Sequence, residues 1–197
     1  VSAQDLTTDL SKAFGIDTNK GSIITRVQKD SPADTAGIKI GDIVTEIDNH
    51  DVNDAESLRF RIITSPIGTR LKIKIIRQRE KQSINFIVEA PPETPKINKL
   101  EISNYNPLKG VIIGNLSPAV ADQIGKDLFL TGVIILEIRQ GSPAHQLGFR
   151  RYDIIKQLNG KEVSGVKQLQ SLLSRKPKRW NIAINRDGAI LSLRVKR

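Results

Sequence analysis

The stretch Ser31–Asp48, S-P-A-D-T-A-G-I-K-I-G-D-I-V-T-E-I-D, comes back 111 residues later as Ser142–Asn159, S-P-A-H-Q-L-G-F-R-R-Y-D-I-I-K-Q-L-N. The likeness extends on both sides. From Gly21 and again from Gly132 runs one order of parts. A β-branched strand leads to S-P-A, a glycine (Gly37, Gly148), D-I (Asp42-Ile43, Asp153-Ile154), a turn, a valine (Val52, Val163) and a helix bearing a leucine (Leu58, Leu169). Between residues 21–62 and 132–173, 11 of 42 positions are identical. Such a period is too long for a solenoid repeat and fits one small domain per copy. Two like modules argue against a single active site built from the whole chain.

Each copy punctuates itself with caps and turns. Val1–Gln4 alternates as a strand does, and Leu6, Leu10 and Phe14 then recur every four residues before Gly15, predicting a short amphipathic helix. Ser22–Val27 reads as a strand. Ser31 is placed to cap a helix with Pro32 at its first position and Gly37 at its end. Ile43–Ile47 is a strand closed by a turn at Asp48-Asn49-His50, and Asn53 with Glu56 has capping-box spacing before a helix with Ala55, Leu58 and Ile62 on one face. Strands at 70–77 and 82–88 pair across Arg79-Glu80-Lys81. Three prolines in A-P-P-E-T-P-K mark 90–96 as a stiff, extended linker between domains at 1–89 and 97–197. The second copy follows the same plan. It has a strand-like lead-in at 97–102 and a strand from Val111, then a helix capped by Ser117-Pro118 and a strand from Gly132 to Ile138. An Asn159-Gly160 hairpin, a helix capped by Ser164 and two strands joined at Asp187-Gly188 complete it. The fold class is therefore mainly β with short helices, as two partly open barrels in tandem.

Composition narrows the chemistry. With 4% aromatic residues, the cores must be built from Ile, Leu and Val, and Trp180, the single tryptophan, reads as a core plug. There is no cysteine, which removes disulfides, thiol catalysis and Cys-ligated metal. There is no methionine either, so the expectation is a processed form or an excised fragment. No apolar run approaches the ~20 residues of a membrane span. The net charge of +10 lies wholly in the second half: residues 1–92 carry 13 basic and 13 acidic side chains, and 93–197 carry 18 and 8. A solvated surface is the default for such an excess, including the basic run Arg175–Arg179. Two histidines, His50 and His145, offer no metal set, and no metal or other cofactor is expected. No G-x-S-x-G, G-D-S-G or phosphate-cradling loop occurs, and no nucleophile–base–acid set can be assembled, so no catalytic residue is assigned.

The order strand, S-P-A, helix, Gly, D-I, turn and helix resembles bacterial PDZ domains. The run N-P-L-K-G-V-I-I-G-N-L-S-P-A-V-A-D-Q-I-G at 106–125, with G-S-P-A-H-Q-L-G-F at 141–149, is similar to the second PDZ domain of HtrA/Deg (Do-type) periplasmic serine proteases. In that family a trypsin-like domain precedes the first PDZ. The resemblance implies the non-catalytic, substrate-handling half of a periplasmic or cell-envelope protease. Its partners would be exposed apolar C-termini or extended segments of unfolded proteins, the upstream protease domain, and further copies in a homo-oligomer.

The family captures peptides by strand addition beside a helix, with a turn of backbone N–H groups for the terminal carboxylate. In copy two this maps onto Leu108, Lys109, Gly110 and Val111, with Ile113 on the strand and Leu169 and Leu173 on the helix. Lys109 departs from the apolar pattern; it adds charge near the carboxylate or faces solvent. In copy one the strand residues are Val1 and Ala3 and the helix residues Leu58 and Ile62, with the turn lying before the first residue. Copy two is thus expected to be the competent site. Such i,i+4 apolar pairs are also common in cores. Tyr152, standing where copy one has Gly41, packs on a neighbour or is a surface ring. The rival readings are a stand-alone PDZ adaptor and a polyanion binder that meets membrane head groups or nucleic acid through the basic second domain. Steep salt dependence would mark the latter.

Overall fold

Each copy of the repeat becomes an antiparallel sheet with three short helices. The computed structural model describes residues 1–175 and 177–196 and divides the chain into a unit Val1–Pro91 and a second beginning at Pro92. In the first lie β1 (Ser2–Asp5), α1 (Thr8–Phe14), β2 (Ser22–Arg26), α2 (Pro32–Thr35), β3 (Ile43–Ile47), β4 (His50–Asp51), α3 (Ala55–Thr64), β5 (Arg70–Arg77) and β6 (Glu80–Ile87). The second holds β7 (Leu100–Glu101), β8 (Val111–Asn115), α4 (Pro118–Gln123), β9 (Val133–Ile138), α5 (Pro143–Gln146), β10 (Ile154–Leu158), β11 (Lys161–Glu162), α6 (Val166–Leu173), β12 (Arg179–Arg186) and β13 (Ala189–Lys196).

The sheet orders are β1-β2-β3-β5-β6 and β7-β8-β9-β10-β12-β13, with β4 and β11 pairing off β3 and β10. Strand for strand the units match, except that β7 has no counterpart among the described residues of the first. Of the linker read at 90–96, the part from Pro92 onward belongs to the second unit. The Pro92 carbonyl accepts from Ala119 N, and the Lys96 carbonyl from the Asn115 side-chain amide at 2.8 Å.

The S-P-A motifs work as their residue types require. The Ser31 and Ser142 hydroxyls accept from the amides of Asp34 and His145, and Pro32 and Pro143 open helices that end before left-handed Gly37 and Gly148. The buried D-I aspartates make a second repeated device. Asp42 and Asp153, each 1% exposed, take two hydrogen bonds of 2.6–2.7 Å from Arg77 and Arg186. Each arginine also donates to the carbonyl of Gly37 or Gly148, and each aspartate accepts from the amide of Lys39 or Arg150. This fork clamps the α2 and α5 turns to the strands β5 and β12. The carboxylate bonds raise the pKa of both guanidiniums against the effect of burial.

Three local expectations shift, and one open alternative, at Tyr152, is decided. The box on α3 is Asp54 with Ser57, one residue on from Asn53 and Glu56. The cap of α6 is Gly165, while Ser164 bonds to the Gln168 side chain. The first unit's last hairpin turns at Gln78-Arg79, both at positive φ, so Glu80 and Lys81 are strand residues and Arg77 faces Glu80. Tyr152 holds the left-handed φ of 71° that Gly41 adopts freely, with its ring beneath the Arg151 guanidinium at 4.6 Å and against the Leu116–Ile134 cluster. Trp180, 4% exposed, sits in the second core as read.

Candidate functional site

In both units the residue that ends the first repeat strand also caps the helix beside it. Asp5 Oδ1 accepts from Ala55 N at 2.8 Å, and Asn115 Oδ1 from Val166 N at 2.8 Å. These bonds fix the spacing between β1 and α3 and between β8 and α6, so each pair frames a groove. Neither Asp5 nor Asn115 was singled out in the sequence, since each reaches a helix some 50 residues away. On α3, Asp54 adds a capping box. The Ser57 amide and then its hydroxyl hold the Asp54 carboxyl below its ordinary pKa.

In the first unit β1 is the outer strand. It pairs with β2 through Ala3 opposite Ile24 and Asp5 opposite Ser22, and its other edge has no partner strand among the described residues. Leu58 is buried, while Ala3 and Ile62 are half-buried against the same core of Ile24, Val44 and Ile73. Val1 lies exposed at the start of the strand. Of the four residues singled out from the sequence, Ala3, Leu58 and Ile62 therefore meet on one strand–helix core, and Val1 stands just ahead of the strand. An unpaired strand edge offers amides and carbonyls to any extended chain that reaches it.

The second groove is filled. Leu108, Val111, Ile113 and Leu169 have no exposure and Leu173 little. The edge of β8 is taken by the chain's own residues 97–102: Leu100 pairs with Ile113 and Glu101 with Ile112. Ile102 donates to the Val111 carbonyl at 2.9 Å and accepts from Gly110 N at 2.8 Å, and Asn115 N donates to the Ile97 carbonyl at 2.6 Å. The turn expected to cradle a carboxylate has its amides engaged. Leu108 N bonds to Asn106 Oδ1, Lys109 N to the Asn106 carbonyl, and Val111 N to the Leu108 carbonyl. Lys109 itself is half-buried. Ile102 is buried with Leu108, Val111, Leu169 and Leu173, and Leu100 packs on that core, while Glu101 points out to Arg139. A cleft of about 580 Å³ opens beside the groove's end, bordered by Asn104, Tyr105, Pro107, Leu173, Arg175 and Trp180.

His50 and His145 lie in different units, bonded through Nδ1 to the Asp48 carbonyl and the Gly141 amide. In the run Arg175–Arg179, Lys176 lies outside the described residues.

The PDZ domain family profile matches residues 7–88 and 103–196, one match per unit. The chain belongs to the PDZ domain family. It corresponds to the tandem PDZ region of HtrA-type proteases, and PDZ domains of those proteases are peptide-binding modules. It is 30% identical over 169 residues to a "Probable periplasmic serine endoprotease DegP-like" of Marinomonas sp., covering 86% of this chain and 35% of that protein. It is 26% identical over 190 residues to the periplasmic serine endoprotease DegP of Escherichia coli, covering 96% and 37%. The chain thus spans little more than a third of the length of these curated relatives. Among solved structures, it is similar to an HtrA-type protease AlgW with decapeptide, at 24% identity and a TM-score of 0.42, covering 47% of this chain and 28% of that one.

Proposed function

We infer that this PDZ pair is the peptide-handling, non-catalytic part of a periplasmic HtrA-type serine endoprotease. In that reading it takes exposed apolar C-termini or extended segments of unfolded envelope proteins, and helps the parent protein assemble. The single observation that carries it is the strand–helix frame that both units repeat, β1 beside α3 with Ala3, Leu58 and Ile62 on its wall and β8 beside α6 with Ile113, Leu169 and Leu173. An extended segment adds there as the next strand, its main chain supplying affinity and its alternate side chains meeting the apolar wall. In the second unit Leu108, Lys109, Gly110, Val111, Ile113, Leu169 and Leu173 form the corresponding groove; in the first it is Val1, Ala3, Leu58 and Ile62. Fluorescence anisotropy with a labelled apolar heptapeptide tests this. The expected affinity is roughly micromolar, about −8 kcal/mol, with little change between low and moderate salt. A steep fall with salt, as phosphate binders show, or no binding at all, would count against it.

A further inference from the structure

We propose that residues 97–102 are a built-in ligand of the second groove, which keeps it shut and displays the motif it accepts. The proposal rests on the peptide-binding reading above and adds its ligand class and its regulation.

The segment meets β8 as an incoming strand would. It runs antiparallel on the outer edge, and its residues alternate inward and outward, with Leu100 in, Glu101 out and Ile102 in. Ile102 stands where a peptide's last residue would stand. Its amide bonds to Val111 and its carbonyl oxygen occupies Gly110 N, the donor a terminal carboxylate would claim. The accepted class is therefore an extended peptide ending in apolar-x-apolar with a free carboxylate.

Gly114 leaves room for the segment: a Cβ there would sit 2.9 Å from an Ile97 side-chain carbon and 3.2 Å from its carbonyl oxygen, and 3.0 Å from Leu136 on β9. The first unit has Gln4 at that strand position: Gln4 pairs with Ile23 as Gly114 pairs with Ile134. A groove whose competent state is a minor population binds external peptide more weakly by that fraction.

The test is a residue-resolved NMR titration of the full chain with the free-acid heptapeptide K-I-N-K-L-E-I. Wild type should show no saturable shifts at Gly110, Ile113 and Leu173 at about a hundred micromolar peptide. Leu100→Ala with Ile102→Ala, and separately Gly114→Gln, should each bind there at least about tenfold tighter, and amidating the peptide should remove most of the gain. Variants that keep the second unit folded, as read from the Trp180 indole signal, yet bind no tighter than wild type would overturn the proposal. So would loss of that fold in both variants, which makes β7 a structural strand. Signals at Ala3, Leu58 and Ile62 keep the two claims apart. Binding there without binding in an opened second groove refutes the built-in ligand alone, whereas silence in both units refutes peptide binding.

Discussion

The β1 edge and the β8 edge are the same structural element in two conditions. Both strands end in a residue that caps the neighbouring helix at 2.8 Å, and both face an apolar helix wall. The β1 edge is bare among the described residues, while β8 is covered by Leu100–Ile102 and backed by Ile97. Gly114 stands where the first unit has Gln4, and in the second unit an alternating apolar segment lies along the strand edge. The shared frame positions the groove, and a strand laid on its edge decides whether the groove is available.

The largest expected effect concerns what the units share. Asp42→Ala and Asp153→Ala each remove a buried carboxylate that accepts from a partly exposed arginine and from a backbone amide, so each should destabilise its unit by about 2–4 kcal/mol. Because the two forks have the same bonds, the losses should agree closely. Urea unfolding followed at Trp180 for the second unit and at resolved amides of the first measures both. A large inequality would show that the units are not energetically equivalent frames.

Next comes a contrast between the groove walls. Leu173 is buried with Ile102 where its counterpart Ile62 is half-buried, and Leu173→Ala should cost about 2–5 kcal/mol. Ile62, half-buried on an open groove, should cost less than about 2 kcal/mol when cut to alanine. Similar costs in the same urea experiment would mean that the two grooves are equally filled.

Much of the frame was legible in local sequence. Ser31-Pro32 and Ser142-Pro143, the left-handed glycines after them, and the turns at Asn159-Gly160 and Asp187-Gly188 each carry their conformation in the residue type. The Gln78-Arg79 turn was missed because neither residue favours positive φ, and strand pairing imposes it. The cap on α6 was misplaced because its acceptor, Asn115, comes from 51 residues away. The pairing of Asp42 with Arg77 and Asp153 with Arg186 was also invisible, because the aspartates recur in the repeat while the arginines lie beyond it, on strands 33–35 residues away. Residues 97–102 read correctly as strand-like, but an alternating pattern names a face and not a partner. The expectation that the second groove stands ready came from an intact turn, whose amides the fold has already engaged.

The smallest effect is one of pH. The Asp54 carboxyl is held below its ordinary pKa, so its contribution to α3 is full above the unfolded-state value and fades as pH falls through the lower folded value. The cap of α6 is Gly165, with no side chain to titrate. Acidification should therefore lower the protection factors of the amides in the first turn of α3, measured against their intrinsic exchange rates, in wild type and less so in Asp54→Asn. Equal acid sensitivity in both proteins would assign the effect elsewhere.

The most direct measurement of the central claim is an NMR titration of the wild-type chain with an apolar extended peptide unrelated to its own sequence. Strand addition predicts saturable shifts and slowed exchange along β1, at Ala3 and Asp5, with matching shifts at Leu58 and Ile62, while Gly110 and Ile113 stay unchanged. Shifts spread over the basic surface of the second unit and lost with added salt, or a response at β8 before β1, would contradict it.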